Sequence, residues 1–235
     1  MRKTNSQRIE GLCAWCGPLF GVLFAVAMLV AHLVPPPSSA TGAAGIARFY
    51  GTHTQELKWG MLVAMVATPL IIPFAALISR QLRASDERLA PLATVQMACA
   101  VVLVVEILLF VVLVAAGAMR PGRDPQVLLG LNDVAFLFLL WAFAPGSLEF
   151  AAFGVAVLWD RSEEPLFPRW AGWVDIAMAL VFVLGGPTLF VTGGAFGWDG
   201  VIAFWAVFLA YGGWLLVTFG CLLRASRTIA ARSSG

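Results

Sequence analysis

The chain has 235 residues, of which 60% are apolar and only 12% are charged, and its mean hydropathy is +0.89. A soluble domain of this length carries about twice that charged fraction, so the composition excludes a soluble protein and predicts an integral membrane protein. The formal net charge of +2 is small, and the basic residues are spread over the ends of apolar runs, so no nucleic-acid partner is expected.

The first apolar run, residues 11–34, follows the polar and basic segment MRKTNSQRIE. This order of residues is also that of a signal peptide, with PPPSSA as a candidate cleavage site. The run is longer than the apolar region of about 7 to 15 residues in a signal peptide. We therefore expect an uncleaved first transmembrane helix.

Five further apolar runs follow, separated by polar turns and by a predicted loop over residues 35–56 that is rich in proline, glycine and alanine. Each run is long enough to cross a bilayer as a helix, in which every backbone polar group is hydrogen-bonded. We predict one all-α transmembrane domain over residues 1–235, a polytopic helical bundle. Its six predicted spans are residues 11–34, 57–79, 91–119, 128–159, 168–192 and 201–223.

The fourth run, residues 128–159, contains Pro145 and Gly146. As one straight helix it would rise about 1.5 Å per residue to roughly 47 Å, which exceeds a hydrocarbon core of about 30 Å. Proline removes a backbone hydrogen bond, and its ring clashes with the carbonyl group four residues earlier. We therefore expect this span to be kinked or broken at Pro145-Gly146, with Glu149 directed toward the bundle interior.

Six spans put both termini on the same side of the membrane, and the basic residues predict which side. Eleven of them fall on the amino-terminal side: Arg2, Lys3, Arg8, Arg80, Arg83, Arg88, Arg161, Arg169, Arg224, Arg227 and Arg232. Four fall on the other side: Arg48, Lys58, Arg120 and Arg123. Because short loops rich in Lys and Arg stay in the cytoplasm, both termini are predicted to be cytoplasmic.

Carboxyl groups inside the predicted spans are the strongest chemical signal. Glu106 lies near the midpoint of its span, whereas Glu149 and Asp175 lie in the cytoplasmic halves of theirs. An ionised carboxylate at the centre of a membrane helix costs about 2.5 to 3.5 kcal/mol, and no Lys or Arg lies at comparable depth. We expect these acids to be protonated, to share a proton, or to face a water-filled cavity. Alternatively, a neutral acid hydrogen-bonds to a neighbouring helix and serves only the packing.

Aromatic residues near the middle of the spans complete a candidate site. Trp141 and Trp214 carry indole N–H groups that lipid cannot satisfy, so we expect both to face the bundle interior. A carboxylic acid in an apolar cavity serves as a general acid, and indole faces stabilise a developing cation. We predict Glu106 and Glu149 as the catalytic acid and base. The predicted substrate-binding residues are Trp141, Asp175, Tyr211 and Trp214.

Motifs for a metal ion or a cofactor are weak in this sequence. Cys13 and Cys16 have the spacing of a thioredoxin motif, but they open a membrane helix rather than a helix after a strand. His32 and His53 both fall at the predicted outer face, and a solvated rim is the preferred interpretation of that region. No Walker, Rossmann or helical HExxH motif occurs. The sequence therefore predicts neither a metal site nor a cofactor.

Four segments together form a pattern that resembles a group of bacterial proteins. The turn ending in PLFPRWAGW, preceded by RPGRDP and LLGLNDVAF and followed by GWDGVIAFW, is similar to the pattern of uncharacterised polytopic membrane proteins of actinobacteria and proteobacteria, of the domain-of-unknown-function type. The resemblance covers roughly residues 45–225. It implies six helices in a bacterial inner (plasma) membrane and carries over no catalytic residues.

Two classes of function fit these observations. The first is a membrane-embedded enzyme or binding protein for a lipophilic small molecule, such as an isoprenoid, a sterol or a hydrocarbon. The second is a proton-coupled transporter, or an accessory subunit that exposes an apolar helix face to a larger membrane complex. We favour the first class. The expected partners are the lipid bilayer, a lipophilic molecule, and a partner membrane subunit or further copies of the chain.

Overall fold

The computed structural model describes residues 5–232, and every regular element within them is helical. Arg2 and Lys3, two of the basic residues used to predict the orientation, lie outside the described residues. The α-helices are α1 (Asn5–Val30), α2 (Ala43–Thr52), α3 (Thr54–Ala67), α4 (Ile71–Ser85), α5 (Ala90–Met119), α6 (Pro125–Trp141), α7 (Phe143–Trp159), α8 (Arg169–Val183) and α9 (Val207–Arg232). Short 3-10 turns lie at Thr68–Leu70, Glu87–Leu89, Gly186–Leu189 and Gly194–Phe196. One π-helical turn lies at Val201–Ala206.

Six helical segments are long and apolar enough to cross a membrane, in agreement with the predicted all-α bundle. Two of them contain two α-helices each, because α3 continues through a 3-10 turn into α4, and α6 is followed directly by α7. The six segments are Gln7–Val30, Thr54–Ser85, Glu87–Met119, Pro125–Trp159, Arg169–Leu189 and Gly194–Ala231.

Helix α5 lies at the centre of the packing and contacts α3, α4, α6 and α7. Its buried residues recur at intervals of three and four, which is the periodicity of one helix face. The opposite face is also apolar, since Val101, Val102, Val105 and Val112 are exposed. Helix α5 is thus apolar on all sides, as expected for a membrane span, with one face packed against other helices and the other suited to contact with lipid.

Helix α2 lies inside residues 35–56, so the prediction of a loop over that whole range is wrong. Ile46 and Tyr50, one helical turn apart, are both buried. Gly117 of α5 makes room for the Tyr50 ring, because a Cβ at that position would lie 2.5 Å from Cε1 of Tyr50. The burial of these side chains against another helix outweighs the local content of proline and glycine.

A single residue outside the helices, Ala142, separates α6 from α7, and it lies three residues before Pro145-Gly146, where the kink or break is predicted. Pro145 has no N–H to donate to the carbonyl group of Trp141, and its ring clashes with that group, so its effect falls one turn earlier. The N–H of Gly146 donates to the Ala142 carbonyl oxygen at 3.0 Å, which is a regular helical bond. Pro145 and Gly146 therefore belong to the first turn of α7.

Candidate functional site

Four polar side chains from four helices meet in the interior of the bundle. Gln96 of α5, Glu149 of α7, Asp175 of α8 and Trp214 of α9 are each at most 4% exposed. We call these four residues the buried polar cluster. Polar groups at this depth require partners within the protein, so their contacts with one another determine what the cluster can do.

Glu149 and Gln96 share one hydrogen bond, and each also has a buried oxygen without a hydrogen-bond partner. Oε1 of Glu149 accepts a hydrogen bond from Nε2 of Gln96 at 3.2 Å, whereas Oε2 of Glu149 is buried without a hydrogen-bond partner. Glu149 is close enough to interact electrostatically with Asp175 and Tyr211. Among the described residues no Lys or Arg forms an ion pair with Glu149 or Asp175. The cluster therefore concentrates acidic groups without a compensating cation.

Asp175 is bound to the indole of Trp214. Nε1 of Trp214 donates to Oδ1 of Asp175 at 2.6 Å, so the hydrogen bond links α8 to α9. The Trp214 ring lies edge-on to Phe150, with 4.8 Å between the ring centroids, and stacks on Tyr211 at 5.6 Å and an angle of 22°. The indole therefore connects an acidic side chain on one side with an aromatic group on the other.

Glycines bring α7 and α8 close enough for Glu149 and Asp175 to approach each other. A Cβ at Gly154 would lie 2.8 Å from the carbonyl oxygen of Gly172, and one at Gly172 would lie 3.0 Å from the carbonyl oxygen of Gly154. Only residues without a Cβ permit this approach of two backbones, which is typical of helix pairs in membranes. Asp175 packs directly against the Gly154 position, 3.1 Å from the same added Cβ.

An apolar cavity of about 450 Å³ lies beside the buried polar cluster, between α1 and α9. Residues of α5, α8 and the α6–α7 junction complete its walls. Aromatic rings form much of the lining, among them Phe20, Phe24, Phe204 and Phe208. Among the described residues that line it, Tyr211 is the only one whose side chain carries an N–H or O–H group. We call this space the α1–α9 cavity.

Three of the predicted site residues, Glu149, Asp175 and Trp214, come together in the buried polar cluster, and Tyr211 lies between that cluster and the α1–α9 cavity. Glu106 does not join them. It lies on α5 ten residues beyond Gln96, which corresponds to about 15 Å along the helix axis. Its side chain is half-buried, and its Oε2 has no hydrogen-bond partner.

Trp141 does not face the bundle interior, which corrects the expectation from the sequence. Its side chain is 37% exposed and contacts the ring of Phe143 edge-on, with 6.3 Å between the centroids. The helix is interrupted at the very next residue, Ala142. A position near the middle of the apolar run therefore does not fix the direction of the side chain at this junction.

Two features of the site were missed in the sequence. Gln96 donates to Glu149, and the ring of Phe150 contacts those of Phe182 and Trp214 at 4.8 Å each. An amide side chain inside the most apolar helix of the chain was a usable signal for Gln96, because such a group needs a polar partner in lipid. Phe150 gives no comparable signal, since it is one of seventeen phenylalanines.

Within residues 5–232, no group of three or more His, Cys, Asp or Glu side chains is arranged to hold a metal ion. All four cysteines are free thiols. The rings of His32 and His53 stack with 4.2 Å between their centroids. The acids of the buried polar cluster are thus the principal candidates for chemistry in the described part of the chain.

No protein-family model, curated protein or solved structure matches this chain. The roles of Glu149, Asp175 and Tyr211 are therefore inferred from their contacts alone.

Proposed function

We propose that this protein binds a lipophilic small molecule, of isoprenoid, sterol or hydrocarbon type, in the α1–α9 cavity. The observation that carries the proposal is the cavity itself. Its volume of about 450 Å³ falls within the range of about 300 to 1,000 Å³ found for small-molecule sites. Its lining is almost wholly apolar and includes a single hydrogen-bonding side chain, a composition suited to a hydrocarbon body.

Glycine residues support the interpretation of the cavity as a binding site rather than a packing defect. Gly212 and Gly213 of α9 both line the cavity, and a Cβ added to either meets no atom within 4 Å. These glycines therefore leave volume free, unlike Gly154 and Gly172, which allow two helices to touch. Both glycines are exposed, so the cavity opens at the surface of α9, where a lipophilic molecule can enter from the bilayer.

Buried acids beside the cavity extend the proposal to chemistry. Asp175 is bound to Trp214, which stacks on Tyr211 of the lining, and Glu149 lies in the same cluster. A protonated carboxyl group there can donate a proton, and a carboxylate can accept one. Glu106 stays a candidate acid for a different reason. Leu103 and Ile107, on either side of it along α5, both line the cavity. Conversion of the bound molecule would require one of these acids to reach it.

A proton-coupled carrier of the same lipophile is a second candidate function. The specific observation that favours it is that Glu149 and Asp175 are both buried in one cluster, close enough to interact electrostatically, with no ion pair to a Lys or Arg among the described residues. Ionisable groups of this kind in membrane spans mark proton pathways in pumps and transporters. Proteoliposomes with an imposed pH gradient distinguish the two functions, because only a carrier would move the lipophile in response to the gradient.

We further propose that the protein lies in a bacterial inner membrane with both termini in the cytoplasm. The excess of Lys and Arg on the amino-terminal side supports this orientation. Labelling of single cysteines in intact cells tests it. A cysteine replacing Ser162 should be protected from a membrane-impermeant reagent, and one replacing Gly122 should react. The reverse pattern would exclude this orientation.

Native mass spectrometry of the protein purified in mild detergent tests the proposed binding function. Wild-type protein should retain a lipophilic molecule as a mass adduct. Gly212→Leu should lose that adduct, because its side chain fills the α1–α9 cavity. Gly220→Leu is the matched control, since Gly220 lies on the same helix, has open space around it and is not part of the lining. Retention by Gly212→Leu equal to that of the control would refute the proposal.

A further inference from the structure

We infer that the ligand of the α1–α9 cavity is a neutral, mainly hydrocarbon molecule with one hydroxyl or carbonyl group, which Tyr211 binds by a hydrogen bond. The inference rests on the proposed function and narrows it to a class of ligand. It excludes fatty acid anions, phosphorylated lipids and cationic amphiphiles, and it distinguishes a molecule with a polar head from a plain hydrocarbon.

The hydroxyl group of Tyr211 is available to a ligand. It forms no hydrogen bond with any described residue, and it does not belong to the buried side-chain atoms that lack a partner. A phenolic hydroxyl both donates and accepts, so it can bind either an alcohol or a carbonyl oxygen. Every other residue of the lining has an apolar side chain or none. A ligand in this cavity therefore meets a single point of polar recognition.

The Tyr211 ring is held in place from several sides. It stacks on Trp214, whose indole is itself bound to Asp175, and it contacts the rings of Phe20, Phe150 and Phe182 with centroid distances of 6.3, 6.3 and 5.8 Å. A side chain fixed in this way presents its hydroxyl group at little cost in conformational entropy. Phenylalanine would make the same ring contacts, so the hydroxyl group adds nothing to the packing.

The charge of the surroundings determines the charge of the ligand. No Lys, Arg or His lines the cavity, so an anionic head group would lose its hydration without gaining a cation. A cationic head group gains no direct contact with them, because Glu149 and Asp175 are not part of the lining and already bind Gln96 and Trp214.

A competition experiment on full-length protein in nanodiscs tests this inference. A hexadecanol analogue carrying a diazirine on its chain labels the protein on illumination, and peptide mapping identifies the labelled residues. Unlabelled hexadecanol, hexadecane, hexadecanoate and hexadecylamine, which share one chain length, then compete for the site. The four competitors partition differently into the bilayer. The quantity compared is therefore the ratio of their potencies in wild type and in variants, because partitioning cancels in that comparison.

Tyr211→Phe removes only the hydroxyl group and leaves no protein group without a partner, so the variant should fold. In this variant, the potency of hexadecanol as a competitor relative to that of hexadecane should fall about five- to tenfold, which is the effect of losing one hydrogen bond. Tyr50→Phe is the matched control, since Tyr50 is the only other tyrosine, lies outside the cavity lining and should leave the ratio unchanged. An unchanged ratio in Tyr211→Phe would overturn the inference.

The remaining outcomes separate this inference from the proposed function. In one outcome the diazirine probe labels cavity residues, but hexadecanoate or hexadecylamine is the strongest competitor. That result would overturn the inference that the ligand is neutral and would leave the proposed site intact. Failure of the diazirine probe to label any residue of the cavity, with no protection by any competitor, would refute the proposed function as well.

Discussion

The indole N–H of Trp214 donates to the carboxyl group of Asp175 at 2.6 Å, and both side chains are almost completely buried. This bond joins α9 to α8 on the side of the bundle where α7 also packs. It also fixes the ring on which Tyr211 stacks. One hydrogen bond therefore contributes both to the association of the helices and to the shape of the α1–α9 cavity.

Replacement of Trp214 by phenylalanine should destabilise the fold. Asp175 then loses its donor while it stays buried, and an unsatisfied buried acceptor costs about 1 to 3 kcal/mol. Unfolding in mixed micelles with increasing denaturing detergent measures the loss. Trp141→Phe is the control, because Trp141 is exposed and should change the unfolding free energy by less than about 0.5 kcal/mol. Equal effects of the two substitutions would contradict the role of the Trp214–Asp175 bond.

The close approach of α7 and α8 gives a second prediction. Gly154→Ala puts a Cβ 2.8 Å from the carbonyl oxygen of Gly172, so the helices must separate, and the unfolding free energy should fall by about 1 to 3 kcal/mol. Gly130→Ala in α6 is the control, since an added Cβ there meets nothing within 4 Å. That substitution should stabilise the protein by about 0.4 to 1 kcal/mol. The two changes should therefore have opposite signs in the same unfolding assay.

The hydrogen bond from Gln96 to Glu149 gives a third prediction. Gln96→Leu leaves both carboxyl oxygens of Glu149 without a partner and should cost about 1 to 3 kcal/mol of unfolding free energy. The double variant Gln96→Leu/Glu149→Leu should recover much of that loss, because replacing both partners by apolar groups is nearly neutral. A double variant less stable than Gln96→Leu alone would show that Glu149 has a further stabilising contact.

The sequence predicted the acids of the cluster because charged residues are conspicuous in apolar runs. Glu149 and Asp175 lie in the interior together with Trp214, which the need for an indole partner had marked. The predicted association of Glu106 with Glu149 is not found, because depth in the membrane does not specify rotation about the helix axis. Ten residues turn the helix by about 1,000°, which is about 80° short of three full turns. Glu106 therefore points about 80° away from the direction of Gln96, and it lies about 15 Å from Gln96 along the helix axis.

The α1–α9 cavity was beyond the reach of sequence reasoning for a different reason. Its lining consists of residues such as Phe20, Leu103 and Phe204, which look like any other core residues in an apolar chain. A cavity depends on how several helices meet, and no periodicity within one helix records it. Helix α2 was missed on similar grounds, because Tyr50 is buried by Gly117, more than sixty residues later in the chain.

The turn between α4 and α5 lies outside the apolar spans and contains an acid with defined partners. Asp86 accepts hydrogen bonds at 3.0 Å from both the side-chain Nε and the backbone N–H of Arg88. The hydrogen bond from the Arg88 side chain, followed by that from its backbone, lowers the pKa of Asp86 below its ordinary value. Asp86 also caps the 3-10 turn Glu87–Leu89, from which the chain enters α5.

The lowered pKa predicts how stability responds to pH at this turn. A carboxyl group whose pKa is lower in the folded state stabilises the fold above its unfolded-state pKa of about 3.9, and this contribution is lost as the pH falls through the folded-state value. Asp86→Asn keeps a capping oxygen but carries no charge, so it should melt below wild type at pH 7, and the gap should close below about pH 3.9. Thermal unfolding across this pH range measures the gap in melting temperature.

Glu87→Gln is the control, because the Glu87 side chain forms none of these hydrogen bonds in the described structure. A gap between wild type and Asp86→Asn that stays constant down to the lowest pH would mean that the charge of Asp86 does not cause the difference in stability.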